Sequence, residues 1–222
     1  MSNPRIWNNF QGQDRKVLSK GTLFVMSAPS GAGKTTLVRQ MAVLEENILL
    51  SVSYTTRPAR HGEKHGKDYH FVDLATFKSM QDQGEFAESA EVHGNFYGTS
   101  RKWLENNLQR SRDIILEIDW QGASEMRKMF PNLVSIFIMP PSREELERRL
   151  RTRGQDSNTT VARRLDAAWG EIQHANEFDF VIINHDLRES IKDCLAVLRA
   201  SRLRFVVQQQ HLAGWFANPL SN

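Results

Sequence analysis

Leu23-Phe24-Val25-Met26-Ser27-Ala28-Pro29-Ser30-Gly31-Ala32-Gly33-Lys34-Thr35-Thr36 is the stretch on which the reading of this chain turns. Four apolar residues with the character of a buried strand run into a glycine-rich turn, and helical spacing begins near Lys34. In such a turn the backbone N–H groups face phosphate oxygens, and the positive end of the following helix adds to their field. Lys34 is placed to reach the β- and γ-phosphates of a nucleoside triphosphate, and the Thr35 hydroxyl to ligate Mg²⁺. The pattern G-x-x-x-x-G-K-[ST] asks for glycine where this chain has Ala28, and alanine serves there only at negative φ. An ordinary glycine-rich strand–helix turn would leave the Gly-Lys-Thr ending unexplained.

The 222 residues suit one or two domains, and 40% hydrophobic with 25% charged residues is ordinary for a globular protein. With 29 basic and 26 acidic side chains the net charge is only +3, which gives no support to a nucleic-acid partner. Cys194, the single cysteine, allows no intramolecular disulfide and reads as a small apolar residue in a helix. No apolar run approaches the roughly 18 residues of a membrane span, and residues 1–20 lack the apolar core of a secretory signal. A cytoplasmic protein without a membrane partner is expected, and its oligomeric state is left open.

Downstream, Leu37, Val38, Met41 and Leu44 keep helical spacing to about Glu46, and Ile48–Ser53 reads as a strand. Tyr69–Val72 predicts a short strand and Asp73 caps a helix that Gly84 ends. Phe86–Glu88 and Phe96–Gly98 predict short strands, and Thr99 or Ser100 caps a helix to about Arg110. Asp113–Asp119 and Leu133–Ile138 are buried strand types, the second stopped by Pro140-Pro141. Ser142 with Glu145 has capping-box spacing for a helix to about Arg151. Phe180–Asn184 is the last strand, and Asp186 with Glu189 opens a helix to about Gln208. Apolar strands separated by helices imply a parallel, doubly wound α/β sheet, with residues 51–110 forming an inserted lobe.

Four constellations carry candidate chemistry. Glu117 and Asp119 end a core strand, where a carboxylate organises Mg²⁺-bound water; a solvated strand end is the alternative. Arg57 and Arg60, near Ser53 and Tyr69, suit a second phosphate, because guanidinium forks match phosphate oxygens. Arg148, Arg149, Arg151, Arg153, Arg163 and Arg164 flank a polar stretch and suit a mobile lid whose arginines stay unpaired until phosphates order them. Glu144, Glu145 and Glu147 would otherwise pair with part of that run as a solvated face. Glu88, with Tyr97, Gly98 and Thr99, suits guanine: one carboxylate accepts from N1–H and the exocyclic amine, and the threonine hydroxyl donates to O6.

From about Gly21 to about Arg204 these residues together resemble guanylate kinase, a P-loop nucleoside monophosphate kinase. Ser-Ala-Pro-Ser-Gly-Ala-Gly-Lys is similar to the bacterial form of its phosphate loop, and Ser-Val-Ser-x-Thr-Thr-Arg-x-x-Arg-x-Gly-Glu at 51–63 to its most specific signature. The resemblance implies a three-layer P-loop core (21–50, 111–142 and 166–206), a GMP-binding lobe (51–110) and a small helical lid (143–165) within residues 21–206. An N-terminal extension (1–20) and a tail (207–222) flank them. It implies ATP and GMP or dGMP as substrates, with Mg²⁺. Ser53, Arg57, Arg60, Tyr69 and Tyr97 would hold the GMP phosphate, and Glu88, Gly98 and Thr99 would take the guanine with Asp119 nearby. The loop from Ala28 through Pro29, Ser30, Gly31, Ala32, Gly33, Lys34, Thr35 and Thr36 would bind ATP, with Asn184 near the adenine. Lys34, Arg57, Arg149, Arg153 and Arg164 would act on the transferring group, and Thr35 and, through water, Asp119 would serve the metal. Glu117 and His185 depart from the family's usual aspartates. A phosphopeptide-binding scaffold domain of this type typically lacks the phosphate loop, and a sugar-phosphate kinase would lack the guanine-reading set.

Overall fold

The computed structural model describes residues 20–92, 94–152 and 158–209. In chain order its elements are β1 (Leu23–Ser27), α1 (Lys34–Leu44), β2 (Ile48–Leu50), β3 (Tyr54–Thr55), β4 (His70–Phe71), α2 (Leu74–Asp82), β5 (Phe86–Val92), β6 (Asn95–Ser100) and α3 (Arg101–Gln109). There follow β7 (Asp113–Glu117), α4 (Trp120–Met129), β8 (Val134–Met139), α5 (Arg143–Thr152), α6 (Asn158–Ile172), β9 (Phe180–Ile183), α7 (Leu187–Arg202) and α8 (Phe205–Gln208).

β1 is buried at every position because it is the central strand of a parallel sheet ordered β2-β7-β1-β8-β9. Its side chains alternate, and the two sets enter separate cores. Phe24 and Met26 pack with Leu37, Val38 and Met41 of α1 and with Ile191, Cys194 and Leu198 of α7. Leu23 and Val25 pack with Leu104 and Leu108 of α3 and with Ala123 and Met126 of α4. Three layers result, as the apolar strand type required. Burial pushes the Cys194 thiol up to about 12, which fits its reading as a core residue.

The lobe is a second sheet, ordered β4-β3-β6-β5, in which β5 and β6 form an antiparallel hairpin that sets Glu88 opposite Thr99. These strands are longer than the sequence suggested, while β2 stops at Leu50. Gly98 is required here, since a Cβ would stand 2.9 Å from Phe86 Cγ and 3.1 Å from Phe77 Cζ, rings that stack at 4.7 Å.

Several caps are as expected. Asp73 accepts from Thr76 N at 2.7 Å, Ser100 caps α3, and Asp186 accepts from Arg188 N and Glu189 N. Neither capping box closes reciprocally, because Glu145 pairs with Arg148 and Arg149 and Glu189 with Lys192. Three features differ from expectation. Helix α4, opened by Asp119 accepting from Gly122 N at 2.9 Å, has no strong periodicity in sequence. The last helix breaks after Arg202, which is held by Asp113 (2.7 Å) and Glu45 (3.0 Å) before the chain turns into α8. Helix α6 runs unbroken through the expected lid boundary at 165, joined to α5 by a small core of Leu146, Leu150, Val161, Leu165 and Ala168.

Gly98→Ala should force the Phe77–Phe86 pair apart and cost about 1–3 kcal/mol, as overpacking of a dense core does. Chemical denaturation should give a lower midpoint with an unchanged slope; an unchanged midpoint would mean that the lobe accommodates the methyl group.

Candidate active site

Gly31 (φ 94) and Gly33 (φ 98) sit in the left-handed region, and Ala32 N closes the turn on Pro29 O at 3.1 Å. Ser111 is the one non-glycine residue at positive φ among the described residues, so Ala28 meets the condition set by its sequence position. Asn184, at the end of β9, donates from Nδ2 to Ala32 O at 2.8 Å. A Cβ on Gly33 would lie 2.6 Å from that nitrogen, so only glycine lets the contact form. Asn184 thus supports the loop, and with His185 it also lines an open cleft of about 440 Å³ beside Gly31, Gly33 and Thr36.

The carboxylate against Thr35 is Glu117, not Asp119. Thr35 Oγ1 donates to Glu117 Oε2 at 3.0 Å, whereas Asp119 spends its oxygens on Gly122 N and Gln121 Nε2 at the start of α4. Lys34 Nζ rests on Ile118 O at 3.3 Å. Hydroxyl and carboxylate oxygens side by side at the loop fit a hard divalent cation.

The lid arginines are already engaged, contrary to expectation. Arg149 Nε pairs with Glu145 at 2.7 Å, while its other nitrogens donate to Ala32 O (3.4 Å) and Asn184 O (3.1 Å). Arg148 and Arg149 together hold the Glu145 carboxyl down to about 2. Arg164 Nη2 donates to Ser30 Oγ at 2.9 Å. Arg153 lies outside the described residues.

In the lobe, Ser53, Thr99 and Glu88 form one buried line. Thr99 Oγ1 donates to Glu88 Oε1 at 2.6 Å, and Ser53 Oγ stands 3.3 Å from Thr99 Oγ1. With Glu88 ionised, the single Thr99 proton is spent on it, so Ser53 is the donor to Thr99. Thr99 is fully buried and braces Glu88. Glu88 Oε2 lies over α4, where a Cβ on Gly122 would stand 2.9 Å away. Arg57 Nη2 donates to both oxygens of Glu63 (2.9 and 3.0 Å), and its guanidinium lies 5.4 Å from the Tyr69 ring centre. Tyr97 meets Tyr69 edge-on at 6.0 Å. Arg60 is exposed and gives only its backbone N–H to Glu63 (2.7 Å). Gly98 is buried against Phe86, so its part in the lobe is packing.

The Guanylate kinase family model matches residues 20–201. Guanylate kinases of Aromatoleum aromaticum and Nitrosomonas europaea are 55% and 53% identical to this chain. Each alignment covers 88% of this chain, with 96% and 98% of the relatives. The crystal structure of guanylate kinase from Anaplasma phagocytophilum superposes with a TM-score of 0.73 at 41% identity, covering 90% of this chain and 97% of that one. The chain belongs to the guanylate kinase family.

Within this guanylate kinase frame one residue, Glu63, escaped the sequence reading of the site, and a second, Glu117, was named without being ranked above Asp119. Glu63 closes the Arg57 clamp, and Glu117 takes the place beside Thr35. Glu63 had a signal, since it ends the 51–63 signature six residues after Arg57. For Glu117 the sequence named two acids and could not rank them.

Burial, opposed by the Thr99 hydrogen bond and reinforced by Asp119, pushes the Glu88 carboxyl up to about 7. Between the ordinary glutamate range and pH 7 the folded state therefore binds a proton that the unfolded chain has released. Stability falls as pH rises through that window. The loss is on the order of 3 kcal/mol for a shift of this size. Thermal melts of wild type and Glu88→Gln between pH 4.5 and 8 should show the wild type losing stability relative to the variant as pH rises. Parallel curves would mean that Glu88 is not desolvated.

Proposed function

We infer that this chain transfers the γ-phosphoryl group of ATP to GMP, and to dGMP, giving ADP and the corresponding diphosphate in purine nucleotide metabolism. The observation that carries this reading is the pairing, on one chain, of a complete phosphate loop with a buried carboxylate braced by Thr99 and Ser53 in the lobe. A binding-only scaffold has no use for Lys34 beside Thr35 and Glu117, and a sugar-phosphate kinase has none for Glu88. No helix among the described residues is long and apolar enough to cross a membrane, in keeping with a cytoplasmic enzyme.

The division of labour follows the chemistry of each part. The loop N–H groups and Lys34 take the β- and γ-phosphates of ATP, and the cleft at Asn184 and His185 takes the adenine. Ser53, Arg57, Arg60, Tyr69 and Tyr97 take the GMP phosphate. Arg57 then exchanges Glu63 for phosphate oxygens, a charge-assisted contact of the same kind. Ionised Glu88 accepts from guanine N1–H and the exocyclic amine; adenine lacks the first donor. Arg149, Arg153 and Arg164 neutralise charge on the transferring group, where positioning and electrostatics do nearly all the work. Thr35 and Glu117 would hold Mg²⁺, which would supply positive charge to offset that of the phosphates. The core, the lobe at 51–110 and the lid at 143–165 are the parts whose relative movement would bring the substrates together without water.

ADP production with GMP, dGMP, AMP, CMP and UMP side by side should show GMP and dGMP strongly preferred. Lys34→Ala should lose roughly 10²-fold or more in turnover, since one preorganised charge is removed. Glu88→Gln should lose about 10²-fold in kcat/KM for GMP, or roughly 2.7 kcal/mol. An unchanged GMP/AMP preference in Glu88→Gln would remove Glu88 as the base reader.

Glu117→Ala should raise the Mg²⁺ concentration for half-maximal velocity roughly tenfold, as loss of an outer-shell partner does, with KM for GMP unchanged. Unchanged Mg²⁺ dependence would return the role to Asp119.

A further inference from the structure

Glu88 belongs to the lobe, yet the residues on both sides of it are attached to the core. Phe86 stands opposite Ser100 and Glu88 opposite Thr99, so Ala87 is the extra residue of a β-bulge. Ala87 is buried with the core residues Leu104, Ala123 and Met126. Ser89, on the other side, donates its backbone N–H to Glu125 Oε2 of α4 at 3.2 Å. The Ser89 hydroxyl accepts from Gln81 Nε2 of α2 at 2.9 Å, so its main chain is tied to the core and its side chain to the lobe. Glu125 lies three residues after Gly122, the position under the Glu88 carboxylate. That spacing puts both on one face of α4, and this face meets β5 at Glu88 and Ser89. Glu125 has no part in the reaction described above.

We propose that Glu125 is a positioning residue for base choice: by holding the Ser89 peptide on α4 it fixes where Glu88 stands toward an incoming base. The inference rests on the reading of Glu88 as the acceptor for guanine N1–H and the exocyclic amine. Two adjacent donors are matched only when the carboxylate keeps its place, and a displacement of about 1 Å is enough to spoil such a match. Ala87 alone does not set that place, because its apolar contacts are non-directional, whereas the bond from Ser89 to Glu125 has a direction. The charge of Glu125, like that of Asp119, opposes ionisation of Glu88, so its contribution is geometric. A glutamate that served only to solvate α4 would extend into water rather than bond a peptide of β5.

The test measures kcat and KM for GMP, AMP and ATP in wild type, Glu125→Ala, Glu125→Gln, Glu88→Gln and the double variant Glu88→Gln/Glu125→Ala. Assays run at pH 8, above the Glu88 value of about 7, so that Glu88 is largely ionised wherever it is present. Glu125→Ala should lower kcat/KM for GMP roughly tenfold, the size of one lost hydrogen bond to a charged group. The AMP value and KM for ATP should stay within about twofold of wild type. AMP carries the same phosphate as GMP, so equal losses for the two would mean a loosened lobe and not a misplaced Glu88. Glu125→Gln keeps a carbonyl acceptor for Ser89 N–H and should recover most of the loss. In the Glu88→Gln background, Glu125→Ala should cost no more than about twofold, because a residue acting through Glu88 has nothing left to position. Wild-type GMP kinetics in Glu125→Ala, equal losses for GMP and AMP, no recovery in Glu125→Gln, or the same tenfold cost in both backgrounds would each overturn the proposal. Should Glu125→Ala not fold, Glu125→Asp, whose carboxylate is withdrawn by one methylene, takes its place with the same outcomes. The Glu88→Gln arm separates this inference from the reading beneath it. An unchanged GMP/AMP preference there refutes Glu88 as base reader and the positioning role with it. A lost preference there beside a wild-type Glu125→Ala refutes the positioning role alone.

Discussion

The Asn184 amide bonded to Ala32 O is the contact on which the site depends. It exists only because Gly33 has no side chain, and it ties the end of β9, an edge strand, to a loop that springs from β1 at the sheet centre. The same residue's carbonyl accepts from Arg149, so the lid hangs on the same point. A parallel sheet supplies the frame for this by delivering the C-terminal ends of β1, β7 and β9 to one edge. The loop, Glu117 and Asn184 converge there without a long connection.

Charge is organised by substitution of partners. Arg57 is matched by Glu63 and Arg149 by Glu145, each with oxygens at hydrogen-bond distance. A phosphate arriving at either guanidinium meets a cation already oriented by a carboxylate, so less side-chain entropy is lost on binding than with a free arginine. The binding energy is then a difference between two charge-assisted contacts. That difference favours reversible capture and release over tight retention.

Legibility in the sequence followed the range of the interactions. The β1–loop–α1 unit was legible because its contacts are local: apolar run, glycines at forced φ, lysine and threonine in fixed order. The lobe signature was legible as a motif, and the Glu88–Thr99 pairing only as a suspicion, because register across a hairpin is set by side-chain packing that a single strand does not record. Helix α4 was missed since Gly122 and its polar neighbours weaken the helical pattern, while Asp119, its cap, had been read as a metal residue. The arginines' long-range partners were invisible for a different reason. Glu145 to Arg149 is a local pair, but Arg149 to Ala32 and Arg164 to Ser30 span more than a hundred residues.

Gly122 has a consequence for redesign. Glu88, the acid proposed to read the base, belongs to the inserted lobe, yet it is seated on a core helix, over a position that has no room for a methyl group. With Glu88 as the proposed base reader, selectivity for the base would have two addresses in the gene, one at Glu88 and one at the bare patch of α4 beneath it. A library that varies only the lobe explores half of the determinant. Enlarging residue 122 would shift the carboxylate without touching any residue that faces a substrate, which makes α4 the place to begin when a different base is wanted.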